Sequence, residues 1–386
     1  MVPRTLSATL RRLAASFPVV AITGPRQSGK TTLAKAVFPD KPYVSLEDPI
    51  ERAFAQEDPR GFLARFANGA IFDEAQRWPD LFSHLQGMVD AAPVPGRYIL
   101  TGSQQFGLLA GVAQSLAGRV GMTRLLPLAI AELSSVVALD DLMLTGGYPA
   151  LHGQGIPAGD WFASYVATYV ERDVRQVLNI QDLNTFQRFL RLCAARTGQL
   201  LNLSALAGEA GIAQGTARAW LSVLEASYLL ILLPPYHRNF GKRLVKTPKL
   251  YFLDTGLAAW LLGIRDTTML ALHPLRGALF ETLIIGECIK DRYNAGLPAD
   301  LYFWRDNNGL EADLLFEVRG RLQPAEIKSG QSVTVDYIRA GQKSGRFAGD
   351  EAEVPWLIYG GDQSYLRSGV RVIGWRDLPR SLAENR

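Results

Sequence analysis

Cysteine and histidine are scarce: two of the first and four of the second in 386 residues. Cys193 and Cys288 cannot staple a fold of this size, and the scattered histidines offer no zinc-ligand spacing. Both cysteines lie in apolar-periodic segments and read as buried free thiols. That fits a reducing compartment, so the cytoplasm is the expected location. Long apolar runs are missing too. Tyr228–Leu233 and Leu257–Ile264 fall far short of the roughly 18 residues of a membrane span, and no membrane partner is expected. Met1 to Arg12 carries three arginines without an apolar run behind them, so no signal peptide is expected.

What remains is ordinary for a globular chain. Apolar residues make up 48% and charged residues 20%. This excludes a disordered chain, a collagen and a coiled-coil rod. The length suggests two or three domains. The net charge of +4 says little, but its distribution says more. From Phe186 to Leu250, nine basic residues (Arg188, Arg191, Arg196, Arg218, Arg238, Lys242, Arg243, Lys246 and Lys249) face only Glu209 and Glu225. Such a surplus is either a footprint for nucleic acid or a solvated basic face.

The first third alternates strand and helix. Val19–Thr23, Ala70–Phe72 and Tyr98–Leu100 read as buried parallel strands, with helical patterns such as Lys30–Phe38 and Leu81–Ala91 between them. Gly24-Pro25-Arg26-Gln27-Ser28-Gly29-Lys30-Thr31 then meets every defined position of the G-x-x-x-x-G-K-[ST] loop. Its glycines let backbone N–H groups curl round a phosphate, and the next helix points its positive end at the anion. Lys30 reaches the β- and γ-phosphates, Thr31 places its hydroxyl on Mg²⁺, and Thr32 extends the loop contact. ATP and Mg²⁺ are therefore the expected cofactors.

The strand ending in Asp73-Glu74 delivers two acids to the sheet's carboxyl edge. Asp73 is expected at the metal and Glu74 at the attacking water; an acidic helix cap is the alternative. Ser103, following the third strand, is preferred over Thr101 as a γ-phosphate sensor. Arg119 is a candidate arginine finger for a neighbouring subunit, or a plain surface arginine.

GPRQSGKTT, IFDEAQ, LTGSQ and SLAGR before an LPL turn together resemble a group of bacterial and archaeal AAA+ ATPases. The resemblance continues through GGYPA, TYVERDV and PPYHRNFGKRLVKTPKLYFLDTGL, over nearly the whole chain. It implies an ATPase domain, a winged-helix segment and a C-terminal domain. It also implies a homo-oligomer, with a hexameric ring as one form.

Leu203–Leu224 has helix-turn-helix spacing. Ser204 is the expected cap of the first helix, Gly211 the turn, and Gln214, Thr216 and Arg218 the start of the second helix, where base-reading side chains sit. With Tyr228–Leu233, the basic loop His237–Arg243 and Lys249–Leu253, the segment reads as a winged helix that contacts DNA or RNA. A lid reused for protein contacts is the alternative.

Near the C-terminus, Asp313 and the Glu326-Ile327-Lys328 run are expected on two strands joined at Arg319-Gly320. Alternation puts Glu326 and Lys328 on one face. Glu281 or Glu287 from the preceding helix would complete a metal shell of Asp313, Glu326 and, preferentially, Glu281, with Lys328 as the catalytic lysine. This arrangement resembles the PD-(D/E)XK nuclease superfamily, although Ala312 stands where the proline would be. The same site serves DNA binding without cleavage equally well.

The fold class expected is α/β. It comprises a P-loop AAA+-type parallel-sheet domain (1–135), a helical lid with a winged helix-turn-helix (136–265), and a small α/β restriction-endonuclease-like domain (266–386). The function expected is Mg²⁺-dependent ATP hydrolysis coupled to DNA binding or remodelling, with a metal-dependent nuclease site at the C-terminus. A nucleotide-gated DNA- or protein-binding switch without nuclease activity is the alternative.

Overall fold

The computed structural model describes residues 2–103, 115–133, 136–153, 155–170, 182–236, 246–306, 310–346 and 349–386, apart from the side chains at 169, 170 and 350. Contacts divide the chain into two compact units. The first holds Met1–Leu128, Ala226–Tyr228 and Arg292–Leu297; the second holds the rest.

The first unit is built on a five-stranded parallel sheet: β1 (Val19–Thr23), β2 (Tyr43–Ser45), β3 (Ala70–Asp73), β4 (Tyr98–Thr101) and β5 (Val120–Arg124), in the order β2-β3-β4-β1-β5. β1 is buried throughout, with four apolar residues before Thr23, because both faces are covered. Val19 and Ala21 join one core with Phe62, Phe72 and Trp78, while Val20 and Ile22 join the other with Leu6, Leu10 and Leu33. Phe62 meets Phe54, Phe66 and Trp78 edge to face. β4 separates β1 from β3, so the phosphate loop and the two acids leave the same sheet edge with one strand between them.

The second unit contains the segments expected as two domains. The helix Leu183–Ala194, β6 (Gln199–Leu200), the helices Leu203–Ala210 and Gln214–Ala226, β7 (Leu230–Leu233) and β8 (Lys249–Phe252) follow one another along the chain, and the three strands form a small antiparallel sheet ordered β6-β8-β7. Trp220 packs edge to face on Phe186 and Phe189. Gly211 takes φ +74° at the turn, as its place requires. The cap of Leu203–Ala210 is Asn202, not Ser204: Asn202 Oδ1 accepts from the Ala205 N–H at 3.0 Å and from the Ser204 hydroxyl at 2.9 Å. The basic loop His237–Arg243 lies outside the described residues.

The larger sheet of this unit has β9 (Tyr302–Arg305), β10 (Glu311–Val318), β11 (Arg321–Lys328), β12 (Trp356–Tyr359), β13 (Tyr365–Arg367) and β14 (Val370–Gly374), ordered β13-β14-β12-β11-β10-β9. β10 and β11 form a hairpin whose two turn residues, Arg319 and Gly320, both take positive φ, the geometry that a two-residue turn needs to match strand twist. β12 and β14 run parallel to β11.

The GGYPA and FLDTGL phrases meet in this unit. Asp254 caps the helix Thr255–Leu261 through Leu257 N–H at 3.0 Å, and its other oxygen accepts the Gly147 N–H at 2.8 Å. A Cβ on Gly146 would lie 2.1 Å from Asp254 Oδ1, which excludes any larger residue there.

Candidate functional site

The loop after β1 is shaped by three residues at positive φ. Gly24 (+144°), Gln27 (+63°) and Gly29 (+93°) bend it, and the helix Lys30–Val37 begins directly behind. A Cβ on Gly24 would lie 2.1 Å from the Leu125 carbonyl oxygen, so the backbone there fits only glycine. Lys30 Nζ donates to the carbonyls of Gly24 (3.0 Å) and Pro25 (2.8 Å). Burial lowers its pKa to about 8, while Glu74 and Asp73 pull it back up.

Ser28 is fully buried, and its hydroxyl has no partner among the described residues. Such an orphaned donor beside curled backbone N–H groups suits a phosphate. Arg26 is half-buried; Gln27 and Thr32 are exposed. Arg4, which sequence reasoning passed over, braces the loop: its guanidinium donates to the carbonyls of Ser28 (2.7 Å) and Leu126 (2.6 Å).

Asp73 stands opposite. One oxygen accepts the Thr31 hydroxyl at 2.8 Å and the Thr101 hydroxyl; the other accepts the Tyr43 hydroxyl at 2.9 Å. Tyr43 is pushed up to about 12 by burial and by Asp73, and Lys35 Nζ sits 3.3 Å from the centre of its ring. Glu74 takes φ +53°, a strained backbone for a non-glycine residue. Its carboxylate accepts from Ser103 Oγ at 3.0 Å and from Gln76 Nε2 at 2.5 Å.

Thr31, Asp73, Glu74 and Ser103 are thus brought together with Lys30 at one sheet edge. Mg²⁺ bound to a nucleotide takes most of its ligands from phosphate and water, so Thr31 and Asp73 suffice to hold it. Arg119 is elsewhere. Its carbonyl pairs with the N–H of Val19, at the end of β1 away from the loop, and its guanidinium pairs with Asp90 at 2.5 Å.

In the second unit, Asp313, Glu326, Lys328 and Glu281 also converge, but with lysines among them. Lys328 Nζ lies 2.6 Å from Glu326 and 3.8 Å from Asp313. Lys249 Nζ lies 2.6 Å from Glu311, 3.2 Å from Glu281 and 3.9 Å from Asp313. The Tyr251 hydroxyl also donates to Glu281. Burial and the neighbouring Asp313 raise both Glu281 and Glu326 above the ordinary carboxylate range.

Among the described residues, no group of three or more His, Cys, Asp or Glu side chains is placed to hold a metal ion. The expected shell of Asp313, Glu326 and Glu281 therefore does not fit a divalent cation as it stands. Glu287 goes elsewhere, to Lys290 and the Ile130 N–H, each at 2.7 Å. Lys249, counted on charge as part of a nucleic-acid footprint, is only 4% exposed and belongs to this cluster. The sequence hint was only a lysine opening the strand-like run Lys249–Leu253, and that run does not show the carboxylates that surround it. Arg188, Arg191, Gln214 and Arg218 are exposed.

An AAA domain family model matches residues 16–134, and two domains of unknown function match 137–268 (DUF8612) and 276–378 (DUF4143). An uncharacterised protein of Mycobacterium tuberculosis is 36% identical over 331 residues, covering 84% of this chain and 73% of its own. Its counterpart in Mycobacterium bovis matches to the same extent. The chain belongs to this family of AAA-type P-loop ATPases. A Walker-type ATPase of Pyrococcus abyssi is similar at 15% identity, over 68% of this chain and 96% of that one, with a TM-score of 0.47. No helix among the described residues of this AAA-type ATPase is long and apolar enough to cross a membrane.

Proposed function

We propose that this ATPase hydrolyses ATP with Mg²⁺ and couples the cycle to DNA binding or remodelling, working as a homo-oligomer. The observation that carries the reading is the Thr31–Asp73 contact at 2.8 Å with Glu74 beside it. Thr31 and Asp73 hold the metal, Lys30 meets the phosphates, and Glu74 orients the attacking water. The metal supplies charge neutralisation on the β- and γ-phosphates.

DNA enters through the second unit. The exposed Gln214 and Arg218 on the helix Gln214–Ala226, the exposed charge of Arg188 and Arg191, and the small sheet β6-β8-β7 after the helix-turn-helix support the winged-helix reading. Arg119, paired with Asp90 in its own subunit, meets a phosphate only in a neighbouring one.

The hairpin β10–β11 with its Asp, Glu-x-Lys and helix acid has the order of a PD-(D/E)XK nuclease. One observation favours the alternative of a nucleotide-gated switch without cleavage: two ammonium groups neutralise its carboxylates. The test is ATP hydrolysis with Mg²⁺, with and without DNA of several shapes, scoring DNA cleavage in the same reactions. DNA-stimulated hydrolysis is expected. Slow turnover insensitive to DNA would overturn the coupling, and cleavage lost in Asp313→Ala would establish the nuclease.

A further inference from the structure

Four carboxylates and two ammonium groups share one corner of the second unit, drawn from β8, the helix Arg276–Asn294 and the hairpin β10–β11. Asp313 and Glu326 each lie one residue beyond Leu314–Ala325, the last pair of the β10–β11 register, and Asp313 Oδ2 accepts the Ile327 N–H at 2.9 Å. Glu311 joins them through Lys249, whose Nζ lies 2.6 Å from Glu311 and 3.9 Å from Asp313.

A lone buried lysine is costly, and it persists where carboxylates surround it. Lys249 meets that condition, with three carboxylates within 3.9 Å and the Phe303 ring centre at 5.4 Å. Together with Lys328 it carries the charge of one divalent ion. The carboxylate oxygens lie 2.6 and 3.2 Å from Lys249 Nζ, spacings that suit an ammonium, whereas Mg²⁺ demands oxygens at about 2.1 Å. A divalent ion among these carboxylates would stand within a few ångströms of the buried ammonium, and that repulsion is poorly screened there.

We propose that Lys249 Nζ is the resident cation of this site, and that a divalent ion binds these carboxylates only when Lys249 is displaced or removed. The lysine is the first residue of β8, a buried strand. The site then differs from a standing metal centre: its cation is part of the chain.

The experiment is Mn²⁺ binding to the full-length, nucleotide-free protein, followed by the electron paramagnetic resonance of free Mn²⁺. Wild type and Asp313→Asn should bind Mn²⁺ equally poorly. Lys249→Met should gain a Mn²⁺ site, and Lys249→Met/Asp313→Asn should lose it again. Circular dichroism checks the fold. If Lys249→Met does not fold, Lys249→Gln, which keeps a polar group there without the charge, should show the same gain. Wild-type Mn²⁺ binding, or a wild-type melting shift with Mn²⁺, that disappears in Asp313→Asn would overturn the proposal. So would a folded Lys249 variant that gains nothing.

Discussion

Arg4 donates one arm of its guanidinium to the Ser28 carbonyl at 2.7 Å and the other to Leu126 at 2.6 Å. The fork ties the phosphate loop to the chain following β5. Both acceptors are backbone atoms, so the contact fixes loop shape rather than side-chain chemistry. Charge-assisted bonds of this kind contribute about 1.5–3 kcal/mol each when well made.

Arg4→Ala should therefore raise the KM for ATP by about tenfold or more with a smaller effect on kcat, because the loop is bent before chemistry begins. Arg4→Lys, which can satisfy one carbonyl, should recover part of the loss. A lower melting temperature with an unchanged KM would mean that Arg4 only stabilises the fold.

Glu74 is held by Ser103 and Gln76 on a backbone at φ +53°. That backbone costs about 1–3 kcal/mol, which the neighbouring contacts must offset. Glu74→Gln keeps the size and both neighbours but loses the charge that polarises water. ATP binding should survive while hydrolysis falls by about 10²-fold or more. An unchanged, already negligible rate would instead identify a nucleotide switch.

Gly24 decides whether the loop can form. Its φ of +144° and the Leu125 carbonyl 2.1 Å from a would-be Cβ leave no room for a methyl group. Gly24→Ala should abolish ATP binding and lower stability by more than about 2 kcal/mol. Isothermal titration with a non-hydrolysable ATP analogue, alongside denaturant melts, checks both effects.

The parts of this architecture written in local pattern were legible in the sequence. The apolar runs gave β1, β3 and β4, the loop motif gave the bend at Gly24 and Gly29, and the Arg319-Gly320 turn placed Asp313 against Glu326. Contacts that depend on distant chain segments were not legible. Arg4 reaches 24 residues along the chain to Ser28 and 122 to Leu126. Tyr43 finds Asp73 only because β2 pairs with β3. Lys249 looked like one more basic residue, since nothing near it in sequence shows the carboxylates that bury it. The capping error at Ser204 was a two-residue matter: Asn202 competes for the same N–H groups and stands at the right distance from them.

Asp254 offers a test that reads pH. Burial raises its carboxyl above the ordinary value of 3.8, against the pull of the Gly147 and Leu257 N–H groups, Lys290 and His152. The folded protein therefore keeps this proton to higher pH than the unfolded chain does. Between the unfolded and the raised folded value, the unfolded chain binds fewer protons, so stability falls as pH rises through that window and is flat above it. Asp254→Asn removes the titrating group and should flatten the profile there. It also leaves one of the two backbone donors without an acceptor, at a cost of about 1–3 kcal/mol. Asp254→Ala loses the helix cap and the Gly147 anchor together and should cost about 2–4 kcal/mol at neutral pH. Urea melts of the three proteins across the acid range decide it. A wild-type profile that matches Asp254→Asn in slope would show that this carboxylate does not set the pH response.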